Sequence, residues 1–252
     1  MIAQFALLAG AGLLAGAMNA VAGGGTFVSL PALTAVGLPG TVANATSSAA
    51  LLPGSLSSAW AYRRDMHPLA GADRRVLAAL SLVGGGLGAV LLLASSEHAF
   101  DLIVPWLLLA ATIALAVGPR LNRILQQRGA RPRPAAIYAA QFALGVYGGY
   151  FGGAVGLMML AAWGLLGGAD VARMAPLRTI MVAAANTIAV ALFVASGQVD
   201  WPGALSVMAG AIAGGWLGAQ VGRRLPPLVF RALVLTVTVG TTAIFFWRAY
   251  GR

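Results

Sequence analysis

Apolar runs follow one another along this chain with short polar interruptions, and two of the runs are broken from within. The pattern predicts clean helical spans over about 42–62, 74–94 and 99–118, and again over about 174–196, 202–222 and 227–248. Each set of three follows a longer apolar segment, about 3–37 and about 136–168, that glycine divides. In the first of these, "NAVAGGGTFVSLPAL" (Asn19–Leu33) puts three consecutive glycines and Pro31 where a helix interior tolerates them poorly. Runs near or above ~18 apolar residues are long enough to cross a bilayer. The expected fold is therefore an all-α polytopic membrane protein with about eight hydrophobic segments.

Composition agrees. The 252 residues are 60% hydrophobic and 9% charged, with a mean hydropathy of +0.86, whereas soluble domains carry about 25% charged residues. All sixteen basic residues are arginine, and with abundant Ala, Gly and Leu this hints at a GC-rich bacterial genome. The net charge of +10 does not point to nucleic acid, because the arginines lie in the short segments between spans, where they set orientation. The absence of cysteine excludes disulfides, thiolate metal sites and a Cys nucleophile. "MIAQFALLAGAGLLAGAMNA" resembles a signal-peptide core but lacks a positively charged leading segment, so it is read as mature, membrane-embedded chain.

The chain also matches itself. At an offset of 133, Gly12 and Gly16 fall on Gly145 and Gly149, Gly23 on Gly156, and Thr46 on Thr179. At an offset of 130, "GGGLGA" (Gly84–Ala89) falls on "GGWLGA" (Gly214–Ala219), Phe100 on Phe230 and Thr112 on Thr242. Several matches in one order argue for duplication over chance in a Gly/Ala/Leu-rich chain. The expected organisation is a first repeat over 1–118, a polar cytoplasmic linker over 119–134 and a second repeat over 135–252, forming a single membrane domain.

Charge placement relates the repeats. If each opening segment dips in and returns to its own side, fourteen arginines face the cytoplasm and two, Arg248 and Arg252, face outward. If each opening segment crosses once, the division falls to eleven against five. The positive-inside rule favours the first arrangement, which makes the repeats inverted. Inverted repeats with a broken segment at matching positions are a recurring transporter design, and non-helical backbone at membrane depth must be buried in protein or line a cavity.

Candidate chemistry lies beside the breaks. In "TVANATSSAALLPGSLSSAW", Asn44, Ser48, Ser55 and Ser58 share one helical face, and Thr46 sits near the break; helix packing is the alternative for Ser55 and Ser58. In "VARMAPLRTIMVAAANTIAV", Thr179 and Asn186 share a face, and Arg178 stands more than a turn inside a span. A charge at that depth is a functional candidate, with snorkelling to the surface as its alternative. Arg173, a turn earlier, reads as a topology signal. The six carboxylates and both histidines fall in loops or at span ends, so no metal site or proton relay is expected at the bilayer centre. Hydroxyls, amides, one arginine and exposed N–H groups at a restarting helix suit an anion. Gly23, Gly24 and Gly25 would offer backbone N–H groups, and Thr26 a hydroxyl. Gly84–Gly86 with Gly88, and Gly210, Gly214, Gly215 and Gly218, read as packing surfaces. "GGYFGGAVG" is not a dinucleotide loop, because no βαβ unit surrounds it.

The stretch from "GLLAGAMNAVAGGGTFVSLPAL" through "SSAWAYRRD" resembles the first signature of the TauE/SafE sulfite exporter family, also grouped as 4-toluene sulfonate uptake permeases. "GVYGGYFGGAVGLMMLAAW" through "SGQVDW" resembles the second, although "FGGAVG" is looser than a GxGxG pattern. The resemblance implies a multi-pass permease of a bacterial cytoplasmic membrane, without ATPase domains, that moves sulfite, sulfonates or related sulfur anions.

The expected function is secondary transport of a small anion, sulfite or an organosulfonate, by alternating access. An anion channel, or transport of another small carboxylate or sulfur anion, is the alternative. No enzyme activity and no cofactor are expected. The expected binding residues are Asn19, Gly23, Gly24, Gly25, Thr26, Asn44, Thr46, Ser48, Arg178, Thr179 and Asn186. Any proton coupling would ride on the substrate itself. The long apolar faces can meet lipid or a second protomer, which leaves a homodimer open.

Overall fold

The structure, a computed structural model, describes residues 2–22, 24–64, 67, 69, 71–127, 134–167, 171–222 and 227–251. These form α1 (Ile2–Ala22), α2 (Thr26–Ala35), α3 (Gly40–Tyr62), α4 (Arg74–Ala94) and α5 (Glu97–Gln127). There follow α6 (Pro134–Tyr150), α7 (Val155–Gly167), α8 (Val171–Ala195), α9 (Trp201–Gly222) and α10 (Pro227–Tyr250). Each glycine-divided segment is two helices, α1 with α2 and α6 with α7. Stretches long and apolar enough to cross a membrane lie in α1, α4, α5, α8 and α10. α2 and α7, at 10 and 13 residues, reach about 15 and 20 Å at 1.5 Å per residue, well short of a ~30 Å hydrocarbon core.

One expectation needs correction. The polar stretch after residue 118 is not a linker from its start, because α5 runs on to Gln127. Its Leu, Arg and Gln residues are good helix formers, and 31 residues reach about 46 Å, past the thickness of the hydrocarbon.

The first break is a fold-back. A Cβ on Gly25 would stand 2.7 Å from the Ala15 carbonyl and 3.2 Å from Asn19 Cβ, so the chain leaving α1 returns against it. α2 then ends in a Schellman turn: Gly37 N–H donates to the Thr34 carbonyl at 3.1 Å and Leu38 N–H to the Leu33 carbonyl at 3.3 Å. Gly37 takes φ +98°, open to glycine at little cost. Pro39 then precedes α3, where it forfeits no helical N–H bond.

Two glycine seams hold the bundle. α1 lies along α9 with Ala9 at Gly210, Leu13 at Gly214 and Ala17 at Gly218, so the two run parallel. Gly12 and Gly16 return the contact on Val207 and Ala211. α4 lies along α6 in the same manner, with Gly84 on Phe142 and Gly145, and Gly88 on Val146 and Gly149. A methyl group at Gly12, Gly16, Gly88, Gly149, Gly210 or Gly214 would overlap partner backbone. Gly86 and Gly215 have ordinary room.

The remaining contacts are reciprocal. α3 packs on α9 and α8 on α4; α5 packs on α7 and α10 on α2; α3 meets α8 and α5 meets α10. Thr112 of α5 and Thr242 of α10, equivalent by the sequence offset, hydrogen-bond each other at 3.1 Å.

The elements collect at two ends. At one, Thr41 and Glu97 pair at the starts of α3 and α5, Arg248 reaches Thr34, and Tyr250 OH donates to the Leu102 carbonyl. Gln198, just before α9, joins Thr41 and Glu97 around a surface hollow there. At the other, Asp73 N–H donates to Tyr138 OH, placing the start of α4 beside that of α6. Since α1 parallels α9, it sets out from the Glu97 end, whereas α6 sets out from the Asp73 end. Outside, Val83, Val90, Ile113, Ile212, Leu233 and Ile244 are exposed, as a lipid-facing surface requires.

Buried polar groups tie α7 inward. Trp163 Nε1 donates to Gln141 Oε1 at 3.0 Å, and Gln141 Nε2 donates to Ser81 Oγ at 2.7 Å. Gln141→Leu should strand the Trp163 N–H and cost about 1–3 kcal/mol, seen as a lower Tm of the purified protein. Ser81→Ala, which spares the Trp163 bond, should cost less.

Candidate functional site

α3 and α8 face one another across a cavity of about 110 Å³, and both breaks open onto it. By the same measure a single water needs roughly 10–15 Å³, so there is room for a small polyatomic ion. α3 contributes Ser48, Leu51, Ser55, Ser58 and Tyr62, a 3–4–3–4 spacing that keeps one face of the helix on the cavity. α8 contributes Arg178, Thr179, Val182 and Asn186 by the same periodicity. Asn19 and Ala20 come from the last turn of α1, and Thr26 from the first turn of α2. Gly152, Val155 and Gly156 come from the second break and the start of α7.

The start of α2 has Gly25 as N-cap with no side-chain cap. Phe27 N–H bonds the Gly24 carbonyl, and Val28 and Ser29 bond that of Gly25, so the N–H groups ahead of them have no backbone partner among the described residues. α7 restarts at Val155 after Gly152 and Ala154 both take positive φ, +77° and +56°. For Ala154 that left-handed backbone is strained by roughly 1–2 kcal/mol, an unusual feature located at a candidate site.

Arg178 gives the wall its charge. Its Cδ and Nε stand 3.2 and 3.4 Å from where a Cβ on Gly156 would be, so the side chain lies on the first turn of α7. The guanidinium donates to Thr179 Oγ1 at 3.3 Å, and Thr179 Oγ1 donates to the Ala175 carbonyl at 2.9 Å. Arg178 Nε is buried and unpaired. A cation held against the positive end of a helix is repelled, and among the described residues no carboxylate lines the cavity to offset it. An anion between them would relieve both.

Of the expected binding residues, Asn19, Thr26, Ser48, Arg178, Thr179 and Asn186 line this cavity. Asn44 and Thr46 do not. Both are fully buried, Asn44 Nδ2 donating to the Tyr150 carbonyl at 2.8 Å and Thr46 Oγ1 accepting from Asp200 N–H at 3.0 Å. Gly24 and Gly25 support the start of α2 behind the wall, and Gly23 lies outside the described residues. Ser55 and Ser58, which the sequence leaves between binding and packing, also line the cavity, as does Tyr62, for which the 3–4 spacing from Ser48 was the available signal.

A family model described as "Sulfite exporter TauE/SafE" matches residues 8–245. The chain belongs to the TauE/SafE family. Among its relatives is the "Probable membrane transporter protein YfcA" of Escherichia coli K12, 26% identical over 95% of this chain and 88% of the relative. The "Probable membrane transporter protein" of Haemophilus influenzae is 27% identical over 94% of this chain and 92% of the relative. Together with the apolar helices, TauE/SafE membership makes this a multi-pass membrane transporter.

Proposed function

We propose that this chain is a secondary transporter of a small anion, sulfite or an organosulfonate, working by alternating access in a bacterial cytoplasmic membrane. The observation that carries the reading is the cavity that Arg178 shares with the starts of α2 and α7, with no carboxylate in its wall among the described residues. The organisation we infer is two inverted repeats, α1–α5 and α6–α10, joined by the segment between Gln127 and Pro134. The reciprocal packing, the Thr112–Thr242 bond and the opposite starting ends of α1 and α6 support it.

Arg63, Arg64, Arg74 and Arg75 cluster near the Asp73 end, which the positive-inside rule makes cytoplasmic. The serine stripe leads from Ser48 to Tyr62 at that end of α3. Toward the other end, Asn44–Tyr150, Thr46–Asp200 and Ser29–Ser47 bonds close the bundle above the cavity. These features support the reading of a carrier open to the cytoplasm. Any proton moved accompanies the substrate.

Proteoliposomes loaded with sulfite should accumulate labelled external sulfite by counterflow, with saturation and competition by sulfonates. Absence of counterflow, or unitary currents in planar bilayers, would refute the carrier reading, and the currents would favour a channel.

A further inference from the structure

Asn44 uses half of its amide. Nδ2 donates to the Tyr150 carbonyl at 2.8 Å, while Oδ1, on a residue with no exposed surface, has no partner. A buried amide oxygen left unpaired is costly. Its surroundings say what would satisfy it. Tyr150 is the last residue of α6, so its carbonyl belongs to the negative end of that helix, where carbonyls lack intrahelical donors. The backbone then turns through Gly152 and Ala154 at positive φ. Ser48 lies one turn from Asn44 on α3, with Oγ 3.8 Å from where a Cβ on Gly152 would stand.

We propose that Asn44 Oδ1, the Tyr150 carbonyl and Ser48 Oγ form a binding site for a monovalent cation of sodium's size. The Tyr150 carbonyl has two lone pairs, so it holds the Asn44 N–H and an ion together. All three oxygens are uncharged, which suits a monovalent ion; Ca²⁺ sites and Mg²⁺ sites recruit carboxylates. The C-terminal ends of broken helices serve this purpose in other transporters. The position 133 residues after Asn44 is the buried Leu177, so the site has no counterpart there. Ser48 also lines the anion cavity, so cation and anion share a wall. Ion binding stands by itself; its role as the coupling ion rests on the transport reading.

The test is thermal unfolding of the purified chain without sulfite, with NaCl replacing N-methylglucamine chloride at constant ionic strength. Sodium should raise Tm saturably by about 5 °C, and N-methylglucamine should not. Asn44→Ala should remove the rise, and Ser48→Ala should move its midpoint about tenfold higher in sodium. If Asn44→Ala does not fold, Asn44→Asp, which adds charge to the same oxygen, should move the midpoint to lower sodium. Equal curves for the two salts, a wild-type response in Asn44→Ala or an unmoved midpoint in Asn44→Asp would overturn the site. A sodium response without a sulfite response keeps the cation site and removes the anion reading; a sulfite response alone does the reverse.

Discussion

Arg178→Ala should move stabilisation of the purified protein by sulfite to about 10- to 100-fold higher concentrations while leaving its resting stability unharmed. The two halves of this result have different causes. Among the described residues no other charged side chain lines the cavity, so the variant loses the charge-assisted bonds that an anion would make there. Such bonds contribute about 1.5–3 kcal/mol, which is roughly a 10- to 100-fold loss of affinity. Resting stability should hold or rise, because Arg178 Nε is buried without a partner and an uncompensated buried charge is itself destabilising. Arg178→Lys keeps the charge but not the planar fork and should fall between the two. Thermal shift over a sulfite titration reads both halves. An alanine variant with wild-type affinity would remove Arg178 from the site.

Valine at Gly88 or Gly214 should be the most damaging single change in the bundle. At both, the added atoms would overlap the backbone of the neighbouring helix, Val146 to Tyr150 in one case and Leu13 in the other. Backbone cannot swing aside as a side chain can, so the helices must separate and each seam loses its close contact. Overpacking of a buried site costs about 1–3 kcal/mol, and these positions should lie at or above the top of that range. The readout is the yield of monodisperse protein in detergent and its Tm. Gly10→Ala and Gly240→Ala are the controls: a Cβ at either meets nothing within 4 Å, and alanine favours helix by about 0.5–1 kcal/mol. If Gly88→Val matched these controls, the seam would not be holding the fold.

The helices were legible because bilayer-length apolar runs and glycine breaks carry their own punctuation. Partner choice was less so. Thr46 and Thr179 match at the sequence offset of 133 and read alike, yet Thr179 faces the cavity while Thr46 is taken by Asp200 N–H. A match along the sequence does not fix a residue's surroundings; the neighbour that arrives there decides the use. Asn44 misled for the same reason: it lies on the serine face, but the end of α6 reaches it first. Ser55 and Ser58 could not be separated from packing serines, since both uses employ small hydroxyls at helical spacing. Helix α5 outran its apolar stretch because length in water is set by propensity, whereas the reading stopped where hydropathy fell.

The α1–α9 seam has a consequence for how the protein is made. Gly12 meets Val207, a residue 195 positions later in the chain. At about 5–20 residues per second of synthesis, α1 waits roughly ten to forty seconds for its partner. Throughout that interval its small-residue face lies open to lipid or to whatever helix comes near. α1, which leaves the ribosome long before α9, is thus docked late, and a nascent chain halted before α9 would expose an unclaimed adhesive strip to the quality-control machinery of the membrane.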